Sequence, residues 1–210
     1  MGTKERRDRE RQEMRTRILD AARELFAGQG YDAISMRRIA EKIEYSPTAI
    51  YVHFKDKEAL FQELCEADFR ALAVEFGRIA EIRDPVDRLS AIGHAYLRFG
   101  LGHPSHYRLM FMTPRLPSKG TEGALERGNP EEDAYAFLRG TVAEAISDER
   151  LRAGLDDPDL VAQAVWAGVH GVVSLYIAKS HDEWVPWREV ERLGEFVIDM
   201  QVRGLVRDGG

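Results

Sequence analysis

Residues 36–60 read MRRIAEKIEYSPTAIYVHFKDKEAL, and this stretch decides the fold. Ser35 stands before a helix over 35–43 that places Met36, Ile39, Ala40 and Ile43 on one face. A tight break follows at Glu44-Tyr45. Ser46-Pro47 then opens a second short helix over 46–53. A serine there accepts one of the orphan N–H bonds of the first turn. Proline fits the first helical position because its missing N–H would find no helical partner. Ile50 and Phe54, four residues apart, face inward, and Asp56 caps a long third helix. Two short helices around a tight turn make a helix-turn-helix, a layout whose second helix enters the major groove of DNA N-terminus first.

The same punctuation recurs along the chain. Asp84-Pro85, Asn129-Pro130 and Asp157-Pro158 each join a strong cap to proline, and His103-Pro104 and Val185-Pro186 are weaker versions. No stretch alternates apolar and polar for long, so strands are not expected. The reading is all-α, with about nine helices: 10–28, 35–43, 46–53, Asp56 to about Ile82, 85–101, 104–112, 130–147, 158–180 and 186–206. Residues 113–129, with Pro114, Pro117, Gly120, Gly123 and Gly128, read as a loop. The expected organisation is a helix-turn-helix domain over 1–60, with a charged N-terminal extension, and a larger helical domain over 61–210.

Charge divides along the same line. Residues 1–57 hold 13 Lys/Arg and 10 Asp/Glu, whereas residues 58–210 hold 17 and 26. A basic front on an acidic body suits a protein that meets an anionic polymer with one end. The extension over 3–17 alternates sign, and pairs such as Glu5/Arg9 and Glu13/Arg17 would support an exposed helix. A solvated extension, disordered or helical, ranks above an arginine arm in the minor groove. The lone Cys65 allows no internal disulfide, which predicts a reducing compartment. The charged N-terminus has no apolar segment of a signal peptide, so the expected location is cytoplasmic.

Residues 160–178, LVAQAVWAGVHGVVSLYIA, carry no formal charge and are long enough to span a bilayer. Gln163, His170 and Ser174 inside, and the Asp157-Pro158 cap, favour a buried helix and no membrane. His103 and His106 are the only close histidine pair. Pro104 would splay them and no cysteine pair accompanies them, so no metal is expected. No nucleophile elbow, zinc-protease helix or Walker loop is present, so no catalytic residue, enzyme activity or cofactor is expected.

The run from Tyr45 to Leu60, with Ile18–Tyr31 and Met36–Ile43 before it, resembles the DNA-binding segment of TetR-like transcriptional repressors. The resemblance covers about the first 60 residues. One departure is Glu44, where the family often has glycine. If that position is left-handed, a side chain there costs about 1–2 kcal/mol. Carried over by position, the resemblance implies contacts to double-stranded operator DNA from Ser46, Pro47, Thr48, Ala49, Tyr51, His53 and Lys57. Ser35 would cap its helix beside a phosphate and Arg37 would lie near the backbone. Read without the motif, Tyr51 is a core aromatic, His53 a helix-end charge and Arg37 a solvated side chain.

A single helix-turn-helix reads few base pairs, so a homodimer is expected, formed by the last two helices. Ala167, Gly171, Ser174 and Ala178 make a small-residue stripe on one. Val190, Leu193, Val197, Met200 and Leu205 make an apolar face on the other. Two helices from each chain would form a four-helix bundle, unless both faces pack within the monomer. Trp166-Ala-Gly-Val-His170-Gly171 is similar to the Trp-His-Gly signature of one C-terminal subgroup of the family. The family resemblance also implies a small-molecule effector, largely apolar, held among the ring-rich middle helices. His94, His103, Tyr107, Phe111, Trp166 and His170 are the wall candidates, with ordinary core as the alternative for each. Two functions therefore stand: a ligand-responsive DNA-binding repressor, or an all-α small-molecule binding or catalytic protein whose front end is only structural.

Overall fold

The computed structural model describes residues 3–113 and 126–207. Among them are nine α-helices: α1 Thr3–Gln29, α2 Met36–Lys42, α3 Pro47–Tyr51, α4 Lys57–Gly77, α5 Pro85–Gly102, α6 Pro104–Phe111, α7 Ala134–Ser147, α8 Pro158–Lys179 and α9 Val190–Leu205. A lone bridge between Leu151 and Val206 is the β-type pairing among the described residues. The loop expected over 113–129 falls mostly in 114–125, outside the described residues. The chain divides into two compact units, one from Met1–Asp68 with Ser105–Ala124, the other from Phe69–Pro104 with Leu125–Gly210. The division passes through α4, eight residues beyond the boundary expected after residue 60.

The first unit has its own core. Ile18, Ala22 and Phe26 of α1 meet Ile39 of α2, Ile50 of α3, Leu60 and Leu64 of α4, and Leu109 of α6. Helices of 7 and 5 residues, such as α2 and α3, are too short to stand alone in water. Burial of Ile39 and Ile50, worth about 1.5–3 kcal/mol each, holds them in place. Phe26, Tyr31 and Phe61 stack around one another at centroid separations of 4.9–5.5 Å. Arg15 ties three elements together: its guanidinium pairs with Glu63, donates to the His53 carbonyl at 2.8 Å and lies 4.4 Å from the Phe54 ring centroid. Buried Asp68 is shared in the same way, 3.0 Å from Arg23 of α1 and 2.8 Å from His106 of α6.

The second unit is a bundle in which α5 meets α7, α8 and α9. Glycines set its closest approaches. A Cβ on Gly194 would lie 2.2 Å from Leu97 Cδ2, so α9 crosses α5 where one side chain is missing. A Cβ on Gly168 would lie 2.3 Å from Gln201 Nε2, whose amide instead donates to the carbonyls of Ala164 and Val165. Arg88 grips Glu144 with two bonds of 2.8 and 2.9 Å, joining α5 to α7. α8 is apolar and long enough to cross a bilayer, but it buries Val161, Val165, Val169 and Val172 along one side in this bundle.

Several helix ends differ from expectation for local reasons. α1 starts at Thr3 rather than residue 10, so the charged extension is helical. α4 stops at Gly77, not Ile82. Glycine is a poor helix former, and four-residue turns closed by the N–H groups of Ile79, Ala80 and Ile82 follow it. Asn129-Pro130 opens no helix, because Asp133 caps α7 by accepting from the N–H groups of Tyr135 and Ala136. Val185-Pro186 opens none either, and α9 begins after Glu189 without a side-chain cap bond.

Candidate functional site

The DNA contacts expected in the first unit stand on α2, on α3 and on the residues that flank α3. Ser35 caps α2 by accepting from Arg38 N–H at 3.2 Å, and Ser46 caps α3 by accepting from Ala49 N–H at 3.3 Å. Ile50 and Phe54 are buried, as their spacing requires. The other side of α3 is open: Ser46, Pro47 and Thr48 are exposed, Ala49 is half-buried and Tyr51 is 53% exposed. Arg37 is exposed on α2 and donates to Glu41 at 3.1 Å. Glu44, in the turn, has φ +60, the left-handed conformation that favours glycine.

Two residues have partners that spacing did not reveal. The Lys57 ammonium is half-buried and donates to the carbonyls of Tyr31 and Ile34, both at 3.0 Å. His53 is half-buried, and its ring is held below the usual histidine pKa, first by burial and then by the charges of Arg11 and Arg15. The lowered pKa leaves that imidazole a neutral ring rather than a ready cation at neutral pH.

The effector-wall candidates fall in different units. Tyr107 and Phe111 belong to the first, with ring centroids 4.9 Å apart, and Tyr107 is fully buried. His94, His103, Trp166 and His170 belong to the second. There Trp166 Nε1 donates to the Tyr96 hydroxyl at 3.0 Å, and that hydroxyl lies 3.0 Å from His170 Nδ1. Burial lowers the His170 pKa, so the neutral ring can accept the Tyr96 proton on Nδ1. His94 Nδ1 lies 2.8 Å from the Ser90 carbonyl. His103 borders an open cleft of about 270 Å³ with Ala71, Glu75, Ala95, Arg98 and Phe99. That volume is just under the usual range for small-molecule sites.

The outer side of α8 and α9 is apolar and uncovered. Leu160, Ala167, Leu175 and Ala178 are exposed on α8, and Gly171 has open space where a side chain would stand. On α9, Phe196 and Met200 are 61% and 52% exposed. Val190, expected on this face, is instead buried inside the unit.

Two family models match the chain: bacterial regulatory proteins of the tetR family over residues 18–64, and the tetracyclin repressor-like C-terminal domain over residues 89–200. The chain belongs to the TetR family. Its relatives include the HTH-type transcriptional repressor Rv1474c of Mycobacterium tuberculosis, 44% identical over 73 residues, which are 33% of this chain and 39% of the relative. The chain thus covers about two fifths of the length of the curated relatives it matches. A Rhodococcus sp. RHA1 protein of unknown function shares the fold at TM-score 0.71, with 24% identity over 92% of this chain and 95% of that one. AibR, solved with isovaleryl coenzyme A and operator DNA, shares it at TM-score 0.69, with 19% identity over 89% of this chain and 96% of AibR.

Within this TetR-family chain, sequence reasoning did not single out Arg15 and Tyr45 of the first unit or Tyr96 of the second. Arg15 anchors the C-terminal end of α3, Tyr45 lies exposed in the turn beneath Arg17 at 5.3 Å, and Tyr96 joins Trp166 to His170. Arg15 sits one residue from Met14 on the inward face of α1, which is the one signal that could have marked it. Nothing in the spacing singles out Tyr96 among its neighbouring rings.

Proposed function

We propose that this TetR-family chain is a DNA-binding transcriptional repressor, acting in the cytoplasm as a homodimer on a near-palindromic double-stranded operator and released by a small, largely apolar effector. One observation carries the reading: α3 offers Ser46, Pro47, Thr48 and Tyr51 to the outside from a helix pinned by fully buried Ile50. Short side chains at its N-terminal end let backbone and hydroxyls approach base edges. Tyr51, His53, Ser35 and Arg37 serve the phosphates, and Ala49 packs against the groove wall. Lys57 serves by fixing the turn at Tyr31–Ile34 and offers its remaining N–H to a phosphate.

The second half of the reading is regulation. DNA reading is assigned to residues 1–60, and effector binding and dimerisation to 61–210. The exposed apolar side of α8 and α9 supports a four-helix dimer interface, with Ala167, Gly171, Phe196 and Met200 at its centre. Trp166, His170, His94 and His103, all of the second unit, are proposed for the effector wall. Trp166 and His170 meeting on one tyrosine supports placing the C-terminal domain in the Trp-His-Gly subgroup. AibR, bound to both a thioester and operator DNA, is a precedent for such a pairing of ligands.

A gel shift of the purified protein against the DNA flanking its own gene tests the proposal. A retarded band, competed by excess of the same duplex and not by random sequence, is the expected result. Absence of any specific shift at micromolar protein removes the reading in favour of a small-molecule protein with a structural front end.

A further inference from the structure

We propose that the N-terminal extension of α1 is a second DNA-contact surface, on which Lys4, Arg7 and Arg11 grip phosphates of the duplex flanking the half-site read by α3. The proposal rests on the DNA-binding reading above.

The argument begins with spacing. α1 is helical from Thr3, so positions 4, 7, 11, 14, 15, 18 and 22 share one stripe. From Met14 onward that stripe faces the core of the first unit, with Ile18 and Ala22 buried. Before Met14 the same stripe turns cationic, with Lys4, Arg7 and Arg11, all exposed. The core-facing side of the helix therefore runs on past the core and changes from apolar to basic. Asp8 and Glu10 flank it on either side, while Glu5 and Glu13 lie on the other sides.

Pairing separates the stripe from the rest. Arg6, off the stripe, lies 3.5 Å from Glu10. No ion pair or hydrogen bond among the described residues holds the side chains of Lys4, Arg7 or Arg11. Cations in the first turns of a helix also oppose its dipole. An anion along that stripe satisfies both conditions at once.

Position supplies the anion. The stripe emerges beside the C-terminal end of α3, where Arg15 holds the His53 carbonyl at 2.8 Å and the Arg11 charge reaches the His53 ring. From Arg15 to Lys4 is 11 residues, or about 16 Å at 1.5 Å per residue. A duplex carries one charge per roughly 1.7 Å of axis, so several phosphates lie within that reach.

The test uses the full-length protein and the tightest-binding duplex selected from a random-sequence pool, once with 12 extra base pairs on each side (about one helical turn) and once trimmed to the selected core. The variant combines Lys4→Gln, Arg7→Gln and Arg11→Gln; a control combines Arg6→Gln and Arg9→Gln on the other sides. On the flanked duplex the first variant is expected to lose two to three units of the salt slope, at about 0.9 per phosphate, and to bind roughly tenfold or more weakly at 0.15 M salt. On the trimmed duplex the loss shrinks, and the control changes little on either. Helix content by circular dichroism stays that of the native chain. An unchanged slope on the flanked duplex, or an equal loss per charge in the control, overturns the proposal while operator binding stands. A native protein that binds no selected duplex overturns the DNA reading and this proposal with it.

Discussion

The Lys57 ammonium lies 4.1 Å from the centroid of the Tyr31 ring while donating to the Tyr31 carbonyl at 3.0 Å. A lysine that the family resemblance assigns to DNA thus clamps the turn between α1 and α2 onto the start of α4. Charge-assisted bonds to carbonyls and a cation–π contact at a half-buried site are together worth about 1–2 kcal/mol. Lys57→Met is expected to lower the urea midpoint by that amount at unchanged m-value, and to weaken binding to every DNA sequence alike. Full stability with a salt slope reduced by about one unit would return Lys57 to a phosphate role alone.

Glu44 is held left-handed at φ +60, with its side chain exposed in the turn between α2 and α3. The strain of that conformation is about 1–2 kcal/mol for a residue with a Cβ. Part of it is offset by the greater freedom of glycine in the unfolded chain. Glu44→Gly is expected to raise unfolding stability by roughly 1 kcal/mol. Calorimetry showing a lower melting temperature would mean that the Glu44 carboxylate itself stabilises the turn.

Phe196 and Met200 are more than half exposed on α9, whereas Ile198 between them is buried. Phe196→Glu with Met200→Glu is expected to yield a folded monomer in sedimentation, with native helix content and weakened operator binding. Ile198→Ala, by contrast, should cost about 2–5 kcal/mol of stability through cavity formation. A double-glutamate variant that sediments as a dimer would place the interface elsewhere.

Burial holds the His170 pKa below 6.5 in the folded chain. The unfolded chain therefore takes up the proton first as pH falls. Stability is fully present above about 6.5 and declines as pH drops from there toward the lowered folded value. A proton on Nδ1 would also oppose the hydrogen bond from Tyr96. His170→Gln is expected to lose less stability between pH 7.5 and pH 5 than the native chain. Equal pH dependence in the two would mean that the ring is solvated at both pH values.

Local chemistry was legible along the chain. Ser46-Pro47, Asp84-Pro85 and Asp157-Pro158 each open a helix, because a cap and a fixed φ act over three or four residues. The inward Ile50 followed from helical period, whereas Tyr51, a core aromatic when read without the motif, was turned outward by the family resemblance. Asn129-Pro130 misled because Asp133, four residues on, offers a carboxylate that accepts two N–H bonds at once.

By itself the sequence determined an all-α chain, a helix-turn-helix near its front and the residues α3 turns outward, all of which depend on neighbours within a few positions. Tertiary structure alone decided where the long side chains end. Arg15 meets Glu63 across 48 residues, Lys57 reaches back 26 residues to Tyr31, and Trp166 meets Tyr96 across 70. It also decided that Val190 is core while Phe196 is surface, though both are apolar residues of one helix. Periodicity reports which residues share a face, but the partner of that face is chosen by packing between segments far apart in the chain, and no spacing encodes it.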